Sequence, residues 1–133
     1  MIFLDTNIFL RYFERENELI YRKVEKLFFE IVQGNIKGIS NMMVIAEVIW
    51  VLDKFYNWEK EKICENIELI LNTPNIKFKE RHIILEAVDI FKGGNIDFSD
   101  AYNYAYMRAN GVGEIYSFDR HFDEFTDIKR LEP

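Results

Sequence analysis

The sequence predicts an α/β fold with a parallel sheet. Short apolar segments typical of strands alternate along the chain with segments of ten or more residues in which apolar positions recur at helical spacing. The length of 133 residues suits one domain with an ordinary core. A composition of 49% hydrophobic and 30% charged residues excludes a disordered or low-complexity chain. We therefore expect a single domain over residues 1–133.

The predicted elements follow one another without an obvious linker. Strands are expected over residues 2–4, 36–40, 75–79, 115–118 and 128–131, and the apolar run over residues 2–4 predicts a buried strand. Helices are expected over residues 18–33, 42–55, 58–71, 81–92 and 97–110, with short ones after Asp5 and after Asp119. Four of the long helices are followed by residues that commonly end helices, namely Gly34, Pro74, Gly93 and Gly111. The helix over residues 42–55 is apolar nearly all round, which predicts that it is buried.

The cysteine content and the distribution of apolar residues indicate in which compartment the protein is expected. The chain has one cysteine, Cys64, so no internal disulfide can form. The apolar N-terminus is interrupted by Asp5 and Arg11 and does not resemble a signal peptide. No uncharged apolar run reaches the roughly 18 residues that a membrane span needs. We therefore expect a soluble, cytoplasmic protein with no membrane partner.

The chain is acidic, with 23 acidic and 17 basic side chains and a net charge of −6. Taken alone, this charge argues against nucleic acid as a partner, because phosphate binding usually requires a basic surface. It does not exclude nucleic acid. Carboxylates that hold a cation would invert the local field whatever the overall balance.

Two acidic residues stand where predicted strands end. Asp5 follows the first strand, and Asp119 follows the strand over residues 115–118. Ligands of parallel α/β sheets bind outside the carboxyl ends of strands, so both carboxylates are well placed to meet one. Each also has a structural alternative, since Asp5 suits a turn and Asp119 suits the N-cap of a short helix.

Three further acids lie on predicted helices. Glu47 is the only charged residue between Asn41 and Leu52, so in a buried helix it must be paired, protonated or bound to a metal. The alternative for Glu47 is a salt bridge to a distant arginine or lysine. Asp97 and Asp100 are three residues apart at a helix start and share a face, although in isolation an N-cap with a first-turn acid explains them better.

Considered together, these acids predict a site for a hard cation. Carboxylates that converge repel one another unless protons or cations intervene, and all-oxygen ligands select Mg²⁺ or Mn²⁺. His82 and His121 are not at the spacing of zinc ligands. The chain contains no phosphate-binding glycine-rich loop and no nucleophilic serine motif.

Four motifs resemble the signatures of PIN-domain ribonucleases, in the same order and at similar spacing. They are Phe3-Leu4-Asp5-Thr6-Asn7, SNMMVIAE from Ser40 to Glu47, Asp97-Phe98-Ser99-Asp100-Ala101, and Ser117-Phe118-Asp119-Arg120-His121-Phe122. Each motif is weak alone, but together they cover nearly the whole chain. The size is similar to that of the single-domain, VapC-type toxins of type II toxin–antitoxin systems.

This resemblance implies a PIN-like three-layer α/β/α sandwich with a central parallel sheet. It also implies metal-dependent hydrolysis of RNA that leaves 5′-phosphate and 3′-hydroxyl ends. The residues that match the catalytic acidic quartet of the family are Asp5, Glu47, Asp100 and Asp119. Of these, Asp5, Asp100 and Asp119 are expected to hold Mg²⁺ or Mn²⁺, and Glu47 to orient the attacking water or complete the metal shell. The residues that match supporting positions are Asn7, Asp97 and Ser117.

The resemblance also implies partners. RNA is the expected substrate, and its backbone charge could be met by basic residues near the predicted strand ends, namely Arg11, Arg15, Arg120 and His121. A toxin of this type would bind an antitoxin protein. A homodimer is expected because the family commonly dimerises and because a small chain cannot easily bury all of its clustered aromatic residues, namely Phe9, Tyr12, Phe13, Trp50, Phe55, Tyr56 and Trp58.

Two other classes compete with this interpretation. A catalytically degenerate PIN-like domain could keep the acids and serve as an RNA- or protein-binding module. A phosphoacceptor receiver domain is also doubly wound and has clustered acids. However, it expects adjacent acids after the first strand and a lysine after a late one, whereas Asp5 is followed by Thr6 and Asn7 and the segment from Gly113 to Phe118 has no lysine. The receiver alternative is therefore a poor match.

Overall fold

Strands and helices alternate along the whole chain in the computed structural model, which describes residues 1–133. The strands are β1 (Ile2–Phe3), β2 (Gly38–Ser40), β3 (Ile76–Phe78), β4 (Glu114–Tyr116) and β5 (Lys129–Leu131). The helices are α1 (Thr6–Phe13), α2 (Glu18–Val32), α3 (Met42–Lys54), α4 (Lys60–Leu71), α5 (Arg81–Gly93) and α6 (Phe98–Ala109), followed by a 3₁₀ turn at Arg120–Glu124. Every predicted element is present, within a few residues of its expected bounds.

All strand pairs are parallel, as predicted, but they form two sheets. The first has the order β1-β2-β3, with Ile2 opposite Gly38 and Gly38 opposite Ile76. The second consists of β4 and β5, with Glu114 opposite Lys129. The expected single central sheet is therefore split into two sheets, because β1 and β4 do not pair with each other. The outer edge of β1 has no strand beside it, because β4 hydrogen-bonds to β5 alone.

The helices contribute most of the hydrophobic core, because the strands are only two or three residues long. A continuous core of 26 buried residues draws on all six helices. In α4 the residues predicted to face inward are all buried, namely Ile63, Ile67, Ile70 and Leu71. Cys64 is buried beside them, and burial raises the pKa of its thiol to about 11.

Two predictions of burial are wrong. Helix α3 buries Ile45, Val48 and Leu52, but it turns Met43 and Trp50 to solvent, with 70% and 62% of their surface exposed. An apolar sequence on every side of a helix therefore did not produce a helix enclosed on every side. In β1, Ile2 and Phe3 are more than half exposed because this strand lies at a sheet edge, and Leu4 is the residue of that apolar run that enters the core.

A hydroxyl fastens the ends of the first two strands together. Ser40, which is buried at the end of β2, donates a hydrogen bond from Oγ to the carbonyl oxygen of Leu4 at 2.9 Å. The chain leaves β1 at Asp5 and leaves β2 at Asn41, whose side chain accepts from the Val44 amide at the start of α3. The two strand exits are thus held side by side. No helix in the structure combines the length and the apolar character that crossing a bilayer would require.

Truncation of the core face of α4 should destabilise the protein strongly. Ile67→Ala removes a fully buried side chain and should lower the free energy of unfolding by about 2–5 kcal/mol. Leu69→Ala, on the same helix but at a position that is 68% exposed, should change it by less than about 0.5 kcal/mol. Urea titrations of the two variants and the wild type measure this difference. Equal losses would contradict the assignment of the α4 faces.

Candidate active site at the strand exits

The first group of site residues joins α1 to α3. Asp5 is the N-cap of α1, and its Oδ1 accepts from the backbone amide of Thr6 at 2.8 Å. Thr6 is buried, and its Oγ1 donates to Oε2 of Glu47 at 2.7 Å. Thr6 therefore links the two carboxylates, because its backbone amide binds Asp5 and its side chain binds Glu47.

Glu47 has a different environment from the one predicted. It is exposed rather than buried, since it lies on the solvent face of α3 with Met43 and Trp50. Its partner is the hydroxyl of Thr6, and no arginine or lysine forms an ion pair with it. The alternative of a salt bridge to a distant arginine or lysine is therefore wrong. A hydroxyl donor fixes one oxygen of this carboxylate and leaves the other free.

The second group forms around Asp119. This residue is the N-cap of the 3₁₀ turn, where its Oδ1 accepts from the backbone amide of His121 at 2.9 Å and lies 2.8 Å from Nδ1 of the same residue. The Asp119 amide in turn donates to Oγ of Ser117 at 3.0 Å. The contacts with His121, its backbone amide foremost, lower the pKa of Asp119 below its usual range.

Asp100 belongs to this second group and shows the opposite shift. It lies half-buried in the first turn of α6, and burial, the negative charge of Asp119 and a hydrogen bond to Asp119 together raise its pKa. The charge of Asp97 adds to this effect. Opposite pKa shifts on two neighbouring carboxyls describe a pair in which Asp119 ionises before Asp100 as pH rises.

Asp97 occupies the N-cap position of α6 without acting as a cap. Its side chain accepts no hydrogen bond from the first turn of the helix and is exposed. The structural alternative predicted for Asp97 is therefore wrong in its side-chain detail, whereas Asp5 and Asp119 do cap the elements that follow them. Asp97 is a carboxylate without a structural hydrogen bond that lies within electrostatic range of Asp100.

The four acids of the predicted quartet are thus arranged as two groups. Asp5 and Glu47 share Thr6, and Asp100 and Asp119 act on each other's pKa. No three acidic, histidine or cysteine side chains lie at the spacing that would hold a metal ion. The chemistry of the donors suits a hard cation, because all four are carboxylates. That all four bind one ion remains a prediction.

The remaining candidates fall into three sets. Ser117 supports Asp119, and His121 contacts it, so both belong to the site. Asn7 and Arg120 are exposed near Asp5 and Asp119 in sequence. Arg11 and Arg15 instead face carboxylates close to them along the chain: Arg11 lies 3.9 Å from Glu16, and Arg15 lies 2.7 Å from Glu18.

Two hydroxyl residues of the site, Thr6 and Ser40, were not predicted. Each is buried, and each donates to an oxygen on a different element, Thr6 to Glu47 and Ser40 to Leu4. Buried hydroxyls normally have such partners. The available signal was position, because Thr6 directly follows Asp5 and Ser40 ends a predicted strand.

The protein is an α/β protein with parallel strands and with carboxylates where two of these strands end. Comparisons with known proteins identify the family to which it belongs. The PIN domain family matches residues 2–128, and the chain belongs to this family. It is 30% identical over 133 residues to the VapC ribonuclease of Aquifex aeolicus (strain VF5), which covers 100% of this chain and 97% of that protein. The family resemblance carried by the four motifs is thereby confirmed.

Solved structures of more distant proteins were also compared. VapC20 of Mycobacterium tuberculosis, described as a toxin that cleaves the sarcin–ricin loop, is 15% identical, with a TM-score of 0.42 over 96% of this chain and 98% of that one. VapBC2 of Rickettsia felis, bound to a DNA fragment from the promoter, is 17% identical, with a TM-score of 0.40 over 99% and 98%.

The raised pKa of Asp100 makes stability depend on pH. A carboxyl whose pKa is higher in the folded state stabilises the fold fully below its unfolded pKa of about 3.9, and this contribution is lost as pH rises through the folded value. Asp100→Asn removes the repelling charge, so the variant should melt at a higher temperature than the wild type at pH 7 and at a similar one at pH 3. Calorimetry at the two pH values measures this difference.

Asp89→Asn, at an exposed position of α5, is the control and should show no such pH-dependent gain. If Asp100→Asn instead melts at a lower temperature at pH 7, the acid acts mainly by its favourable position at the N-terminus of α6.

Proposed function

We propose that this protein is a divalent-metal-dependent endoribonuclease that hydrolyses RNA phosphodiester bonds and acts as the toxin of a toxin–antitoxin pair. The observation that carries the proposal is the similarity of the whole chain to a VapC ribonuclease. The site supports it, since each group contains one carboxylate that follows a strand, Asp5 after β1 and Asp119 after β4, where ligands of parallel sheets bind.

In this proposal Asp5, Asp100 and Asp119 hold Mg²⁺ or Mn²⁺, and Asp97 adds negative charge beside them. The ion would supply Lewis acidity at the scissile phosphate and lower the pKa of a water molecule. A bound ion would oppose the burial and the repulsion by Asp119 that raise the pKa of Asp100. Ser117 and His121 keep Asp119 oriented through the contacts described above.

Glu47 would orient the attacking water. One of its oxygens accepts from Thr6 Oγ1, which restricts rotation of the carboxylate and leaves the other oxygen to accept from water. Asp5 accepts a hydrogen bond from the amide of the same threonine. Thr6 would therefore hold the metal-binding carboxylate of Asp5 and the water-orienting carboxylate of Glu47 in fixed positions relative to each other.

One observation favours a second candidate. The acids stand in two groups, and no three of them lie at metal-ligand spacing, which is the arrangement expected of a catalytically degenerate PIN domain. Such a domain would bind RNA or protein without cutting it. Metal-dependent cleavage is therefore the property that separates the two functions.

Protein partners are also part of the proposal. An antitoxin is expected because VapC-type proteins act in toxin–antitoxin pairs. A homodimer is supported by part of the aromatic clustering: Trp50 and Phe55 are 62% and 72% exposed, whereas Phe9 is fully buried. Exposed aromatic side chains of this size are typical of interfaces.

Chelation should abolish RNA cleavage. The wild type should cut unpaired RNA in Mg²⁺ or Mn²⁺ and lose this activity in EDTA, and Asp5→Asn should remain folded while losing nearly all activity. Gel analysis of cleavage products measures the first effect, and circular dichroism verifies the second. Asp89→Asn controls for a change of charge elsewhere. Undiminished cleavage in EDTA would contradict the metal-dependent mechanism.

Loss of the Thr6 hydroxyl should reduce turnover. Thr6→Val keeps the shape of the side chain but removes the donor to Glu47, and loss of such an orienting contact commonly costs about 10–100-fold in activity. Thr6→Ser should recover most of the rate. Thr73→Val provides the matched control, since Thr73 donates to the Leu69 carbonyl at the far end of α4. An active Thr6→Val variant would remove Glu47 orientation from the mechanism.

A further inference from the structure

The segment that carries Asp119 is closed by a side chain from the last strand. Arg130 is the middle residue of β5. Its Nη1 donates to the carbonyl oxygen of Ser117 at 2.8 Å, and its Nε donates to Oδ1 of Asp123, in the 3₁₀ turn, at 2.9 Å. One guanidinium thus binds both ends of the segment, and Asp119 lies between them. We call this arrangement the Arg130 clamp.

The backbone of β5 and the core reinforce the two ends of the segment. The Ser117 amide donates to the carbonyl oxygen of Leu131 at 3.0 Å, so Ser117 is bound to β5 through both its amide and its carbonyl oxygen. At the other end, Phe122 is buried next to Asp123. Both ends are therefore fixed by interactions in which Asp119 takes no part.

The orientation of Asp119 depends on the shape of this segment. Its amide donates to Oγ of Ser117, and its carboxylate accepts from the amide of His121, so both of these hydrogen bonds lie within the segment. Arg130 does not itself bind Asp119. It acts on this carboxylate through the backbone that it holds.

The guanidinium of Arg130 is almost fully occupied by contacts within the protein. Its side chain is 13% exposed. Nη1 also donates to Oε1 of Glu132 at 2.8 Å, and Nη2 donates to Oδ2 of Asp123 at 3.4 Å. Four of its five N–H groups therefore have partners. A guanidinium enclosed in this way between two carboxylates is suited to fixing the chain and has little capacity left for a ligand.

The charge of Arg130 would by itself act against a metal ion. A cation near a site for a divalent cation repels that ion, so removal of the charge alone would strengthen metal binding. Loss of a residue that keeps a metal ligand in place would weaken metal binding instead. The two effects of Arg130 therefore differ in sign, and a measurement of metal affinity can separate them.

We propose that Arg130 is a positioning residue of the candidate site: it fixes the segment from Ser117 to Asp123 and thereby the orientation in which the Asp119 carboxylate would bind a divalent cation. Arg130 lies beyond residues 2–128, the part of the chain that matches the PIN domain family, so none of the four motifs includes it. The metal-binding part of this proposal rests on the proposed function, whereas the clamp rests on the hydrogen bonds alone.

Two variants and a matched control test the clamp. Arg130→Gln removes the guanidinium, and Asp123→Asn weakens its hold on the far end of the segment. Glu132→Gln is the control, because it neutralises the other carboxylate partner of Arg130, which lies outside the segment. The side chain of Asp123 is 54% exposed, so Asp123→Asn decides the matter if Arg130→Gln fails to fold.

The first measurement is ¹⁵N relaxation in EDTA, which requires neither metal nor activity. The amides of Asp119 and His121 should have order parameters near ~0.85 in the wild type and in Glu132→Gln, as in rigid backbone. They should fall in Asp123→Asn, and in Arg130→Gln they should fall below about 0.6, the range of flexible backbone. The amides of α4 should remain rigid in every protein, which shows that the core is intact.

The second measurement is the affinity for Mn²⁺, determined from the electron paramagnetic resonance signal of the free ion. Arg130→Gln should bind Mn²⁺ about 10–100-fold more weakly than the wild type, the usual cost of losing a residue that orients a metal ligand. Asp123→Asn should also bind it more weakly, and Glu132→Gln should bind it like the wild type. Tighter binding by Arg130→Gln would show that only its charge acts.

The outcomes for the clamp and for the proposed function are distinguishable. Rigid amides at Asp119 and His121 in both clamp variants overturn the proposal, as does Mn²⁺ binding that is unchanged or tighter in these variants. Equal losses in Glu132→Gln also overturn it, because the segment would then not be the part that matters. A wild type that binds no Mn²⁺, together with flexible amides in both variants, supports the clamp and contradicts the metal-dependent function.

Discussion

Repulsion between the carboxylates of Asp97, Asp100 and Asp119 is the main constraint on the candidate site. Burial, the charge of Asp119 and the nearby Asp97 raise the pKa of Asp100 above its usual value. The strands, at two or three residues each, offer few hydrogen bonds to oppose this repulsion, so the apolar core of the helices must do so. Asp5, Asp97, Asp100 and Asp119 all lie at helix or 3₁₀ starts, where free amides favour negative charge. Glu47 alone lies inside a helix, and there a hydroxyl binds it.

The sequence predicted the order of elements and the buried face of α4 because both follow from local periodicity and helix-ending residues. It did not predict the exposure of Glu47. An apolar pattern describes what a helix can bury, whereas the neighbours packed against it decide which face is enclosed. The division of the sheet was missed for a related reason, since the partner of β4 is chosen by contacts distant in sequence.

The candidate site was predictable in composition and less so in arrangement. The acids could be named from their positions after strands and from their motifs, but the link through Thr6 requires α1 and α3 to meet, which no spacing in the sequence reveals. Arg11 and Arg15 illustrate the reverse case. They stand near a strand end in sequence, yet they form ion pairs with Glu16 and Glu18, which are close to them along the chain. Arg130 lies outside the four motifs, and it reaches the Ser117 carbonyl because β5 pairs with β4.

The buried thiol of Cys64 can report when α4 and α5 separate. It is the single cysteine, it lies on α4 with Sγ 4.0 Å from the Val88 carbonyl of α5, and its high pKa keeps it as the unreactive thiol. Alkylating reagents can therefore reach it when these two helices part. The rate of labelling at different reagent concentrations would give the frequency with which the helical layer opens, without any introduced probe.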